Sequence, residues 1–367
     1  MTKVLLSTGG TGGHIFPILS LYSRLKKIKE IEDIKIMTDE RAKEFINSDD
    51  IKIIRSDSPF RKKGLIHIFI TFYYIFISTL KCIYFLTTYK PKIIIGSGGY
   101  VSVPILLASL ILRKNFVLYE TNSVLGRVNR LFLPFCKKLL SGYLEIKKIP
   151  KKYKKKFFYV GQLVRSEFFE ISKKSSLTKP KKKVLNILIL GGSQGAKVFG
   201  EKLPRCFGSL DSNRVKLCIK QQVQKDQISK IKEFYKNNTQ FEISLFQFEQ
   251  NIHDYIFESD VVICRSGSST MAELSLLNKP FIAVPLPSSL DNHQYFNAKY
   301  YYDRKCCWLL DENNEDFEYQ MTNILNEIYF SDNLLISKQN NLIGLHKTNA
   351  VENFIKYILD KNGFADK

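Results

Sequence analysis

The sequence predicts an α/β protein of two domains, each built on a parallel sheet, and three observations support that prediction. Short apolar runs alternate with helical stretches along the chain, the order that yields parallel sheets flanked by helices. A glycine turn follows such a run twice, about half a chain apart: Gly9-Gly10-Thr11-Gly12-Gly13-His14 and Gly191-Gly192-Ser193-Gln194-Gly195-Ala196. The 367 residues suffice for two cores of ordinary size, and a 44% hydrophobic content is that of a folded chain.

In the first half the strand candidates are residues 4–7, 34–37, 51–54, 93–95 and 116–119, with helical patterns at 15–28 and 103–112. Strand candidates in the second half are 184–190, 215–219, 241–245, 261–264 and 281–284, after which the chain ends in helices. A polar, lysine-rich segment at 147–183 separates the halves and holds the expected hinge, 161–165. Residues 65–80 are apolar except for His67, preceded by Arg61-Lys62-Lys63 and followed by Lys81. A membrane span needs about 20 apolar residues, more than this run supplies. Its aromatics and flanking cations suit a helix at a membrane interface, and a core helix packed on a sheet has the same composition.

The net charge of +21, from 56 Lys and Arg against 35 Asp and Glu, favours anionic partners such as nucleic acid, anionic lipid or phosphorylated small molecules. Much of the lysine lies in runs at 147–156 and 173–183 that also read as solvated surface. No zinc-finger, aromatic RNA-binding or helix-turn-helix pattern accompanies the charge, so no specific nucleic-acid partner is expected. The seven scattered cysteines form no C-x-x-C pair or metal-ligand spacing and read as reduced thiols of a cytosolic protein. The chain enters its first strand without a signal-peptide pattern.

A glycine turn leading into a helix presents backbone N–H groups at that helix's positive end, where phosphate binds. In the first turn Ile15 stands where a dinucleotide fingerprint has its third glycine, which argues against a nicotinamide cofactor. His14 falls in the first helical turn, where the dipole disfavours imidazolium; it reads as a proton acceptor or as a structural group. A third turn, Gly96-Ser97-Gly98-Gly99-Tyr100 with Pro104 beyond, suits a second diphosphate or simply close strand–helix packing. Tyr119-Glu120-Thr121-Asn122 stands at a strand's carboxyl end, where ligands of open α/β sheets collect. In the second half Arg265-Ser266-Gly267-Ser268-Ser269-Thr270 opens a helix carrying Glu273, placed to accept two vicinal hydroxyls of a ribose or to act as an ordinary first-turn carboxylate. Asp291-Asn292-His293-Gln294 closes the loop after 281–284.

Taken together, GGTGGHIFP (9–17), GSGGYVSVP (96–104), YETN (119–122), GGSQGA (191–196), CRSGSSTMAEL (264–274) and DNHQYFNA (291–298) resemble the MurG family of bacterial N-acetylglucosaminyltransferases in order and spacing. The resemblance implies a GT-B fold: two Rossmann-like domains with parallel sheets facing a deep cleft. Residues 1–163, with a returning C-terminal helix at about 345–367, would form the acceptor and membrane-associated domain, and 164–344 the UDP-GlcNAc domain. It implies inverting transfer of GlcNAc from UDP-GlcNAc to the 4-hydroxyl of MurNAc in undecaprenyl-diphospho-MurNAc-pentapeptide (lipid I), for peptidoglycan synthesis, by a peripheral protein on the cytoplasmic face of the cell membrane. Neither a cofactor nor a metal is implied. Other sugar-nucleotide enzymes of the same fold, a glycolipid glycosyltransferase or a UDP-GlcNAc epimerase, are the alternatives.

Carried over by position, the resemblance puts Thr11, Gly12, Gly13, Asn122 and Arg165 at the donor, Ser193 on a phosphate and Glu273 on the ribose. It puts Ser268, Ser269, Thr270 and Met271 at the uracil or diphosphate and Gln294 on the sugar hydroxyls, while Gly98, Gly99 and Tyr100 receive the acceptor diphosphate. His14 is the first candidate base and Glu120 the second. Two segments depart from the family pattern: GQLVR (161–165) replaces GNPVR, and YETN replaces HEQN.

Overall fold

The computed structural model describes residues 2–10, 12–44, 49–54, 65–174, 184–192, 196–211, 213–238, 241–346 and 349–359. The chain divides into two units, Met1–Arg165 with Asn349–Lys367, and Ser166–Thr348.

In the first unit the strands are β1 (Thr2–Ser7), β2 (Ile31–Thr38), β3 (Ile51–Ile53), β4 (Ile93–Gly96), β5 (Val117–Glu120), β6 (Lys138–Ser141) and β7 (Phe157–Tyr159). They form one parallel sheet ordered β3-β2-β1-β4-β5-β6-β7. Because successive residues of a strand face opposite sides, Val4, Leu6, Ile95 and Tyr119 enter one core, while Leu5, Ile94, Leu118 and Leu139 enter another. Burial on both faces explains the continuous apolar runs. Helix α1 (Gly12–Leu25) covers the first face, and α2 (Leu65–Tyr89), α3 (Val103–Ile111) and α4 (Arg127–Phe132) cover the second.

The C-terminal helix, Ala350–Leu359, also joins the first face through Ala350, Val351, Phe354 and Ile358. Phe354 meets the Tyr119 ring edge-on at 5.1 Å, and Lys138 Nζ donates to the Tyr357 carbonyl at 3.0 Å.

Two expectations change here. The lysine-rich segment at 147–183 does not simply separate the halves, because β7 lies within it as an edge strand of the first sheet. The strand is only three residues, Phe157-Phe158-Tyr159, and the 3-10 turn Lys151–Lys156 before it is all Lys and Tyr. The apolar run at 65–80 is part of a longer helix, since α2 continues past Lys81 to Tyr89. Lys81 is exposed and so does not interrupt the buried stripe, in which Cys82 and Leu86 join the core. Phe69, Tyr73, Phe76, Leu80 and Tyr84 form an exposed stripe at i, i+3 and i+4 spacing, with Phe69 73% and Tyr84 72% exposed. Residues 68–89 are long and apolar enough to cross a membrane by length and composition. The flanking Arg61-Lys62-Lys63 lies outside the described residues.

In the second unit β8 (Leu185–Leu190), β9 (Leu217–Gln222), β10 (Glu242–Phe246), β11 (Val261–Cys264), β12 (Phe281–Ala283) and β13 (Cys307–Leu309) form a parallel sheet ordered β10-β9-β8-β11-β12-β13. Its helices are α5 (Ser166–Ser172), α6 (Lys197–Gly208), α7 (Ile228–Asn238), α8 (Ile252–Glu258), α9 (Ser268–Leu276), α10 (His293–Tyr302), α11 (Phe317–Phe330) and α12 (Asp332–Leu342). Phe199, Leu203 and Phe207 of α6 pack with Met321 and Leu325 of α11 over Ile187, Ile189 and Ile263. Strand order reverses between β1 and β4 in one unit and between β8 and β11 in the other, and the carboxyl ends at such a reversal are where open α/β sheets bind ligands.

Candidate active site

At the first reversal, β1 runs into residues 8–10, and α1 begins at Gly12. Gly10 has no room for a side chain: a Cβ there would collide with the Asp39 carboxylate and reach the Ala42 nitrogen at 2.8 Å. Burial pushes the Asp39 carboxyl up, but hydrogen bonds from the Arg41 side chain and from the Arg41 and Gly10 amides outweigh it and leave the group below its ordinary value. Asp39 was not anticipated, since nothing in the sequence links it to the turn.

Gly12, Gly13 and His14 are the first three residues of α1. His14 Nδ1 lies 3.2 Å from the Ser97 carbonyl oxygen. A carbonyl only accepts, so Nδ1 carries the hydrogen, and in the neutral tautomer this contact selects, the lone pair is on Nε2.

The turn after β4 is tied to β1 by the Ser97 amide, which donates to the Ser7 carbonyl at 2.9 Å. Gly98 and Gly99 have φ of 81° and 73°, the left-handed region that favours glycine. A Cβ on Gly99 would stand 3.7 Å from the Gly9 Cα, so the two turns touch. Tyr100 opens the 3-10 turn that leads into α3, and Ser102 Oγ donates back to the Gly98 carbonyl at 2.8 Å. The structure thus brings Gly12, Gly13, His14, Gly98, Gly99 and Tyr100 to one reversal; Thr11 lies outside the described residues.

Glu120 and Asn122 follow from the adjacent β5. The Glu120 carboxylate is 2% exposed and accepts from the Asn122 amide at 3.0 Å, Asn122 Nδ2 at 3.2 Å, the Gly126 amide at 2.9 Å and Asn129 Nδ2 at 2.8 Å. Burial raises its carboxyl above the ordinary value, and these donors offset only part of the rise. This geometry makes Glu120 the anchor of the 120–129 loop, and it speaks against the carboxylate as a base open to a substrate hydroxyl. Asn129, the other half of the anchor, was missed because no local pattern marks it.

The two departures from the family pattern meet in space: the Leu163 amide donates to the Tyr119 hydroxyl at 3.2 Å, a bond that proline at that position cannot make. Arg165 places its guanidinium over the Phe16 ring of α1, 4.6 Å from the centroid.

In the second unit β8 leads to Gly191, whose amide donates to Gln222 Oε1 at 3.1 Å, and to Gly192 at φ 82°. Ser193 lies outside the described residues. From β11 the Arg265 amide reaches the Leu190 carbonyl at 3.2 Å, which closes the second reversal. The Arg265 guanidinium donates to the Val284 and Pro285 carbonyls at 3.1 and 3.2 Å, pairs with Glu312 and lies over the Phe199 ring. Asn297 Nδ2 donates to the Ser266 carbonyl at 3.2 Å. These braces hold the loop before α9; Asn297 falls within the 291–298 motif, whereas Glu312 carries no sequence signal.

Ser268, Ser269, Thr270 and Met271 form the first turn of α9, while Glu273 is its sixth residue and so lies beyond the first turn. Ser269 and Thr270 share a helix face with Glu273, four and three residues on. Gln294, the second residue of α10, accepts the Leu286 amide on Oε1 at 2.9 Å and so folds the 285–294 loop onto itself. Asp291 and Asn292 in that loop have φ of 53° and 57°, strained for side chains other than glycine.

Replacing Glu120 by Ala strands buried donors, so Glu120→Ala is expected to cost about 2–4 kcal/mol of stability, read by denaturant titration. A variant as stable as the parent would show that the carboxylate is not an anchor.

The chain matches the glycosyltransferase family 28 N-terminal domain over residues 4–141 and the glycosyltransferase family 28 C-terminal domain over residues 186–356. It is 39% identical over 318 residues to a Rickettsia canadensis protein named UDP-N-acetylglucosamine–N-acetylmuramyl-(pentapeptide) pyrophosphoryl-undecaprenol N-acetylglucosamine transferase, covering 86% of this chain and 87% of that one. Its fold is similar to the crystal structure of Acinetobacter baumannii MurG, with a TM-score of 0.78 at 22% identity over 98% of this chain and 100% of the other. A UDP-GlcNAc 2-epimerase from Neisseria meningitidis bound to UDP-GlcNAc shares the fold at a TM-score of 0.67 and 14% identity, over 98% of this chain and 100% of that one. With two GT-B-type parallel sheets, both family 28 domains and this identity over most of its length, the chain belongs to the MurG family of glycosyltransferases.

Proposed function

We infer that the chain transfers N-acetylglucosamine from UDP-N-acetylglucosamine to the 4-hydroxyl of MurNAc in undecaprenyl-diphospho-MurNAc-pentapeptide. The observation that carries this reading is the identity, over most of the chain, with a transferase named for that donor and acceptor. The epimerase shares only the fold.

In the proposed mechanism His14 Nε2, left with the lone pair by the Nδ1 contact to Ser97, takes the proton of the acceptor hydroxyl. The freed oxygen attacks C1 of GlcNAc on the face opposite the diphosphate. The C1–O bond breaks, UDP leaves with the bonding pair, and the anomeric configuration inverts. Charge develops on the departing diphosphate, and the N-terminus of α9, the 191–196 turn and Ser193 are the groups proposed to meet it. Ser268, Ser269, Thr270 and Met271 line the uracil or diphosphate, Glu273 accepts the ribose hydroxyls, and Gln294 donates to the sugar through Nε2. Thr11, Gly12, Gly13, Asn122 and Arg165 serve the donor from the first unit, while Gly98, Gly99 and Tyr100 hold the acceptor diphosphate.

The acceptor is a polyprenyl lipid, so its diphosphate lies at headgroup level. We propose that the exposed stripe of α2 docks on the cytoplasmic face of the membrane as a peripheral contact. The opposite stripe is already packed in a protein core, which leaves the helix only one face for lipid.

Incubation with labelled UDP-GlcNAc and a short-chain lipid I analogue is expected to yield labelled disaccharide lipid; nucleotide-sugar binding without transfer would remove the acceptor assignment. His14→Ala is expected to lower kcat by about 10²-fold or more with UDP affinity retained, and undiminished turnover would take the base role from His14. High-salt and carbonate washing of membranes should release the protein, whereas retention would point to a span.

A further inference from the structure

The chain leaves the first unit through residues 161–165 and re-enters it at the C-terminal helix, and both segments are fixed on one buried phenol. The Tyr119 side chain is fully buried at the end of β5. Its hydroxyl accepts the Leu163 amide at 3.2 Å and stands 3.5 Å from the Gly161 carbonyl, to which it donates. Its ring meets Phe354 of the C-terminal helix edge-on at 5.1 Å. The flanking residues are tied as well: Gln162 Nε2 donates to the Thr121 carbonyl at 3.2 Å and Asn353 Nδ2 to the Val160 carbonyl at 3.4 Å. Gly161, at φ 97°, takes a conformation that favours glycine, and the two phenol bonds, to its carbonyl and to the Leu163 amide, hold the backbone on both sides of Gln162. Arg165 follows, with its guanidinium over Phe16, two residues beyond His14 on α1.

We propose that Tyr119 is a positioning residue for the transfer reaction: its hydroxyl fixes residues 161–163 so that Arg165 is held over Phe16 beside the His14 turn. Burial keeps the phenol well above its ordinary value, so it remains a neutral hydroxyl that donates and accepts at once. The proposal rests on the transferase reading above and assigns Tyr119 no contact with substrate.

Tyr119→Phe retains the ring and removes only the hydroxyl. In the label-transfer assay it should lower kcat about 3- to 10-fold, the scale of one hydrogen bond, with KM for UDP-GlcNAc within about twofold. In an Arg165→Ala background the same change should have no further effect, because the residue through which it acts is gone. An equal loss in both backgrounds, or no loss in the parent, would overturn the proposal in favour of a purely structural phenol. If Tyr119→Phe fails to fold, Leu163→Pro removes the same bond from its donor side and carries the same two expectations. A parent chain that transfers no label would strike at the functional reading instead, a result distinct from additivity in an active parent.

Discussion

Where two neighbouring parallel strands send their connections to opposite faces of a sheet, no helix can cover the gap at their carboxyl ends. Everything of chemical interest in each unit depends on that constraint. β1 with β4, and β8 with β11, create the gap, and the chain lines it with backbone because glycine lets turns approach to contact. The Gly99 and Gly9 backbones lie side by side for this reason, with the His14 imidazole above them.

Such loops carry polar groups that lack a ladder, and much of the polar side-chain inventory near each reversal serves to hold them. Glu120 with Asn129 shapes one loop, Asp39 with Arg41 braces a second, and Arg265 with Glu312 joins the ends of β11 and β12 to the chain beyond β13. A buried charge is tolerated only when it is satisfied in this way. Ser269, Thr270 and Glu273 share one face of α9 behind its N-terminus.

The division between legible and hidden features follows the same physics. Strands buried on both faces, such as β1, β4, β8 and β11, announce themselves as apolar runs, and the turns after them as glycine. Edge strands β7 and β13 have no strand candidate, whereas β3, an edge strand of the same length, is legible because its Ile-Lys-Ile run continues into Ile54. The end of α2 was obscured by Lys81, whose charge looks like a terminus in sequence yet projects from the solvent side of a continuing helix. Motif residues such as His14 and Glu273 stand out as candidates in the sequence because their chemistry lies in a short segment. Partners distant in sequence, such as Leu163 to Tyr119 or Glu312 to Arg265, exist only once the sheets have formed.

The membrane contact proposed for the exposed stripe of α2 would have a kinetic consequence. A helix with one side locked in protein and the other seated in a leaflet can slide and spin only within a plane. An enzyme so held would find a lipid acceptor by lateral diffusion, and its encounter rate would follow the acceptor's surface density while the nucleotide sugar arrived from three dimensions. Two substrates would then be counted in different units, molecules per area and molecules per volume, and diluting the bilayer with inert lipid would slow one encounter without touching the other.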